Sequence, residues 1–185
     1  MRVIAGSARR LLLKTPPGTD TRPTTDRIKE TLFNILQQDL YGCRFLDLFA
    51  GSGGIGIEAL SRGADYAVFV DNDSTAVRCI EENLAHTHLT EKGRIIKQDF
   101  VKAVSMLSAR EAPFDIIFAD PPYHAGFEAV LLNSLRSSGL LKGSTQIVLE
   151  ADRMFTLPDP AELGFIIRRE KEYKTNKHIF LAPLL

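Results

Sequence analysis

From residue 43 onward, short apolar runs rich in β-branched and aromatic residues alternate with stretches whose apolar positions recur every three or four residues. Phe45-Leu46-Asp47-Leu48-Phe49 predicts a strand ending at a glycine loop, and Ile55 to Arg62 predicts the helix after it. Tyr66 to Val70 predicts a second strand. Ala76, Val77, Ile80 and Leu84 then predict a helix, with Ser74 available to cap it. Arg94 to Lys97 and Asp115 to Ala119 predict two more strands, each followed by a helical stripe: Val101, Val104 and Leu107, then Phe127, Val130, Leu131 and Leu135. Gln146 to Glu150 predicts a fifth strand. Phe165-Ile166-Ile167 and His178 to Leu181 predict a final pair joined by a basic turn. Such alternation buries a mostly parallel sheet between helical layers, an α/β architecture whose ligands bind outside the carboxyl ends of the strands.

The first 42 residues differ. Met1 to Lys14 alternates weakly, as a hairpin would, Thr15 to Gly18 reads as a turn, and Arg22-Pro23-Thr24-Thr25-Asp26 leads into a helix bearing Ile28, Leu32, Ile35 and Leu36 on one face. We read 1–42 as an appendage and 43–185 as the core of one domain, an ordinary size for 185 residues. At 44% apolar and 25% charged residues, a disordered chain is excluded on composition. No apolar run reaches the roughly 18 residues of a membrane span, and Cys43 and Cys79 form neither a CxxC pair nor a zinc set. The expectation is a reduced, cytoplasmic protein with no membrane partner and no structural metal.

Charge adds one feature. The formal net charge is zero, yet residues 1–30 carry a net +4 and residues 166–185 a net +3, leaving −7 on the stretch between them. Basic ends on an acidic middle suit a polyanion gripped by the termini, although a solvated surface that happens to segregate would look the same.

The strand ends carry the chemistry. Asp47-Leu-Phe-Ala-Gly51-Ser-Gly53-Gly-Ile-Gly56 is a strand running into a glycine turn and a helix, which lets backbone N–H groups approach a ligand. Asp71 ends the next strand, where a carboxylate can accept both ribose hydroxyls. At the end of the third, Asp99 could take a bond from an adenine amino group while Phe100 lies against the ring. Singly, each acid could be a loop residue or a helix cap; together they indicate an adenosine site. A dinucleotide and S-adenosylmethionine both contain adenosine. Asp47 would repel a pyrophosphate but suit the ammonium of a methionine moiety, which favours the sulfonium cofactor.

Asp120-Pro121-Pro122-Tyr123 ends the fourth strand. An exocyclic amine on a nucleobase is a poor nucleophile because its lone pair is delocalised into the ring. The Asp120 carboxylate and the Pro121 carbonyl could each accept one of its N–H bonds. Pro121 and Pro122 would hold that carbonyl rigidly, and Tyr123 could stack on a base turned out of its nucleic acid.

With Arg22-Pro-Thr-Thr-Asp-Arg-Ile-Lys-Glu-Thr-Leu-Phe-Asn-Ile-Leu36, the run from Asp47 through Ala64, Asp120 to Tyr123 and the Arg-Val-Ile-Ala-Gly start, the chain resembles the RsmD family over nearly its whole length. That resemblance implies the Rossmann-like seven-stranded S-adenosylmethionine-dependent methyltransferase fold. It also implies methylation of a guanine N2 in 16S rRNA, presented within the small ribosomal subunit or an assembly intermediate, by a monomer. Asp71 stands where relatives often have glutamate, and the turn from Glu172 to Lys177 lacks an expected glycine. Arg9, Arg10, Arg22, Arg27, Lys174 and Lys177 are candidate RNA phosphate contacts. The rival readings are an adenine-N6 methyltransferase, since Asp-Pro-Pro-Tyr serves any planar amine, a non-catalytic ribosome-assembly protein and a nicotinamide oxidoreductase. None of His86, His88, His124 and His178 suggests a metal site.

Overall fold

A computed structural model describes residues 1–16, 26–123 and 125–184. Strands β1 (Arg44–Leu48), β2 (Tyr66–Asp71), β3 (Gly93–Lys97), β4 (Ile116–Ala119), β5 (Gln146–Asp152), β6 (Phe165–Glu172) and β7 (Asn176–Pro183) form one sheet in the order β3-β2-β1-β4-β5-β7-β6. The first five run parallel, while β7 lies antiparallel to both β5 and β6. Helices α1 (Asp26–Leu36), α2 (Gly54–Ser61), α3 (Ser74–His86), α4 (Phe100–Ser108) and α5 (Phe127–Arg136) complete the described elements with two short 3-10 turns. One buried cluster gathers Phe33, Phe45, Ile57, Phe69 and Ile80, the other Leu46, Val68, Val104, Leu131 and Ile147. Phe45 and Leu46 thus point to opposite faces, as alternation along a strand requires.

The sheet reverses its winding between β1 and β4, so the crevice at their carboxyl ends is where a ligand is expected. The N-terminal residues are built onto the same core. Val3, Ala8 and Leu13 pack with Leu32, Phe33 and Leu36 of α1. Glu58 of α2 is fully buried and accepts the Ile4 and Ala5 N–H groups at 2.8 and 3.0 Å and Arg62 Nε at 2.8 Å. It also lies 3.3 Å from buried Lys29 Nζ, which donates to the Arg2 carbonyl at 2.6 Å. Asn83 of α3 joins the N-terminal segment to the glycine loop: Nδ2 donates to the carbonyls of Lys14 and Ser52, and Oδ1 accepts the Lys14 N–H.

Met1 to Lys14 forms a short hairpin, with Arg2 and Leu12 bridged antiparallel and the N–H groups of Val3 and Leu13 on the carbonyls of Leu11 and Met1. Several expectations change at this level. Asp73 caps α3 by accepting the Thr75 N–H, while Ser74 is the first helical residue and receives Lys97 Nζ. On α5, Leu132 is buried where Val130 was expected, because the inward face is centred on Leu131 and Leu135. Val101 is also exposed, at the first turn of α4. The terminal pair is much longer than its apolar runs. Arg168, Arg169 and Lys171 belong to β6, an edge strand with one neighbour, where solvated charges blunt unwanted pairing. No helix among the described residues is long and apolar enough to cross a membrane.

Candidate active site

A cleft of about 1320 Å³ opens at the carboxyl ends of the parallel strands. Asp47, Gly51, Asp71, Asp120 to Tyr123, Glu150 and the β6–β7 turn line it, with Arg27 and Thr31 of α1 on one side. A smaller hollow of about 120 Å³ adjoins it, walled by Phe49, Phe100 and Phe127 and edged by Asp71, Asp99 and Pro122.

The glycine loop is shaped by its backbone. Gly51 and Gly53 take positive φ values of 55° and 75°, the left-handed region that favours glycine. A Cβ at Gly51 would meet nothing within 4 Å, leaving open space against its backbone for a ligand. Phe49 also has a positive φ, 63°, a conformation that costs a side-chain-bearing residue about 1–3 kcal/mol. Its ring lies 5.0 Å from that of Phe100 and 6.4 Å from that of Phe127, so the strained backbone completes an aromatic slot.

Four carboxylates dominate the electrostatics. Asp47 is buried at the end of β1 and accepts the Gly56 N–H at 2.9 Å. Burial pushes its carboxyl up to about 7, the Gly56 bond opposes that rise, and the charge of Asp71 adds to it. Asp71 Oδ2 accepts the Gly51 N–H at 2.8 Å and Oδ1 the Asp73 N–H at 2.9 Å, tying the loop after β1 to the end of β2. Asp120 is held well above the usual carboxylate range, first by burial and then by the charges of Glu150 and Asp47. Glu150 accepts Asn176 Nδ2 at 2.5 Å and sits 3.0 Å from His178 Nε2 and 3.4 Å from the Tyr123 hydroxyl. Burial and then Glu150 raise the Tyr123 phenol, and the same causes lift Tyr173 to about 12. A cleft with this much negative charge suits a cationic ligand and disfavours a pyrophosphate.

The Asp120-Pro-Pro-Tyr turn is pinned by Ala125 N–H on the Pro122 carbonyl at 3.3 Å. Among the described residues, no backbone N–H bonds the Pro121 carbonyl.

The structure gathers Asp47, Gly51, Asp71, Asp120, Pro121, Pro122 and Tyr123 around one cavity, with Asp99 and Phe100 at the adjoining slot. Asp99 Oδ1 takes the capping bonds from Val101 and Lys102 N–H, leaving Oδ2 for a ligand. Gly53 and Gly56 do not line the cavity. A Cβ at Gly56 would fall 2.3 Å from the Phe69 ring, so that glycine serves the packing of α2 on β2.

The basic candidates divide. Arg27 and Lys174 are exposed at the cleft. Lys177 is buried with Nζ 3.2 Å from Glu170, so its charge is already taken. Arg9 and Arg10 are exposed but flank a loop anchored at Ser61, the end of α2 away from the cleft. Arg22 and His124 lie outside the described residues, as do Pro23, Thr24 and Thr25. Sequence reasoning missed Glu150, Tyr173, Asn176, Phe49 and Phe127. Glu150 was accessible to the same rule that found the others, since it is an acid near the end of a buried strand.

Five parallel strands followed by an antiparallel pair, with the glycine turn after β1 and acids closing β2 and β4, make this the fold of the S-adenosylmethionine-dependent methyltransferases. The family model described as Conserved hypothetical protein 95 matches residues 1–182, and the chain belongs to that family. YlbH of Bacillus subtilis strain 168 is 42% identical over 172 residues, covering 93% of this chain and 92% of that protein. Ribosomal RNA small subunit methyltransferase D of Escherichia coli K12 is 36% identical over 172 residues, covering 92% of this chain and 84% of that protein. The solved structure of E. coli yhhF matches with a TM-score of 0.82 at 33% identity, covering 99% of this chain and 97% of that one.

Proposed function

We propose that this protein transfers a methyl group from S-adenosylmethionine to the exocyclic N2 of a guanine in small-subunit ribosomal RNA. The observation that carries the reading is the position of Asp120 and Pro121 on the same cavity as the glycine turn and Asp47. The residues suit the cofactor: open space over Gly51, a ribose-ready carboxylate at Asp71, an aromatic slot at Phe100 and an anionic wall at Asp47 for the ammonium. When bound, S-adenosylmethionine supplies an electrophilic methyl on a sulfonium.

The protein's own work is alignment. Asp120 and the Pro121 carbonyl each accept one N–H of the amine, drawing the nitrogen towards tetrahedral geometry and aiming its lone pair at the methyl. As the N–C bond forms and the S–C bond breaks, the nitrogen becomes acidic and Asp120 takes its proton. A carboxylate held above its ordinary range is suited to that task. Tyr123, 40% exposed at the cleft, offers a ring for the turned-out base. The similarity to E. coli small subunit methyltransferase D supports ribosomal RNA as the substrate. Exposed basic groups line the cleft, Arg27, Lys171 and Lys174 among them, and they suit contact with its phosphates.

The test is labelled methyl transfer to small-subunit particles from a strain lacking the gene, followed by mass analysis of the digested nucleosides. N2-methylguanosine is the expected product; N6-methyladenosine, or no transfer, contradicts the proposal.

A further inference from the structure

Glu150 is buried at 4% exposure on the cleft wall beside Asp120, because Ala119 of β4 pairs with Leu149 of β5 and each acid follows its partner. Its surroundings fix it firmly. Asn176 Nδ2 donates to Oε1, and His178 Nε2 faces Oε2. An ionised carboxylate only accepts, so Nε2 must carry the proton. In the neutral ring Nδ1 then accepts the Tyr173 hydroxyl, 3.3 Å away. Among the described residues no Lys or Arg pairs with Glu150; the nitrogens that face its oxygens are Asn176 Nδ2 and His178 Nε2. Asn176 Oδ1, buried next to it, has no donor among the described residues. This part of the wall therefore presents acceptors, and its donors are already turned inward.

We infer that the carboxylate of Glu150, braced by Asn176 and His178, accepts the N1–H of the target guanine and selects guanine over bases lacking that hydrogen. The inference rests on the proposed guanine-N2 reaction and adds to it the group that reads the base. Guanine shows two neighbouring donors on one edge, N1–H and the N2 amine, matching two neighbouring carboxylates, Glu150 and Asp120. Adenine shows a bare N1 lone pair beside its amine, which would face Glu150 acceptor to acceptor. A site built to accept a substrate N–H rejects analogues lacking it far more strongly than a pocket rejects a small change of shape.

The experiment uses small-subunit particles reconstituted with rRNA whose modified guanosine, mapped beforehand, is replaced by 2-aminopurine riboside. That base keeps the reacting amine but has a bare N1. For the wild type, kcat/KM on guanosine is expected to exceed that on 2-aminopurine by about 100-fold or more. In Glu150→Gln the side-chain amide can donate to N1, so the ratio should fall below about tenfold. Asn176→Ala, which loosens Glu150 without replacing it, should give an intermediate ratio. A loss of stability or of Tyr123 orientation would slow both substrates together and leave the ratio unchanged. An unchanged ratio in either folded variant overturns the inference, as does a wild-type ratio within about threefold of one. If wild-type protein methylates no guanosine particle, the proposed function itself fails and takes this inference with it.

Discussion

Under the proposed function Asp47 has two jobs with opposite energetic signs. In the chain alone its charge is buried, so the carboxyl rises to about 7, above the roughly 4 of an unfolded aspartate. Between those values the folded state holds more protons than the unfolded one, and stability contributed by this group falls as pH rises from about 4 to about 7. Binding a cationic ammonium needs the ionised form. S-adenosylmethionine affinity should therefore weaken as pH falls through about 7, by up to tenfold per unit, as titration calorimetry from pH 8 to pH 5.5 would show. Asp47→Asn keeps an oxygen for the Gly56 N–H and removes the charge. It should raise the ligand-free Tm at pH 8, change it little at pH 5, and weaken cofactor binding at pH 8 by tenfold or more. Unaltered binding would detach Asp47 from the cofactor. The acids at 47, 71, 99 and 120 were legible because each stands at the end of an apolar strand run. The partners of Glu150 were not: His178 and Asn176 reach it through the antiparallel register of β7 on β5, which pairs Glu150 with His178 across more than twenty residues of chain.

At the level of elements, the central parallel strands β1, β2, β4 and β5 could be read from sequence because both faces are covered and their runs are mostly apolar. The terminal pair obeyed a different rule. β6 is an edge strand with exposed charges along most of its length, and apolar content alone marks only its first residues. The glycine loop also separates by element. Gly51 belongs to the ligand side, whereas Gly56 lets α2 lie against the Phe69 ring of β2. Gly56→Ala should destabilise the protein by about 1–3 kcal/mol, because the buried ring has no open space into which to retreat. Denaturant unfolding would check this, and a neutral result would show that α2 can slide on the sheet. S-adenosylmethionine affinity should fall only as far as the α2 N-terminus shifts.

The whole molecule is closed by buried polar contacts between distant parts of the chain. Glu58 binds the N-terminal residues, α1 and α2 at once, and Lys29 has no other anion within 4 Å among the described residues. Glu58→Ala would strand the Lys29 ammonium and two backbone N–H groups, at a cost of about 3–5 kcal/mol. Thermal unfolding should show one large loss, and a change under 1 kcal/mol would mean that the N-terminal residues are not part of the folding unit. Sequence patterning could not have shown this pair, since a lysine on the amphipathic α1 and a lone glutamate in the short apolar α2 read as separate charges until tertiary packing buries them together. The arrangement also fixes α1, which carries Arg27 to the cleft. The most direct measurement on the account as a whole is single-turnover methyl transfer to unmodified small-subunit particles by wild type and Asp120→Ala, with cofactor affinity measured in parallel. The rate is expected to be at least about 100-fold lower in the variant, with S-adenosylmethionine affinity within about threefold of wild type. An unchanged transfer rate would contradict it.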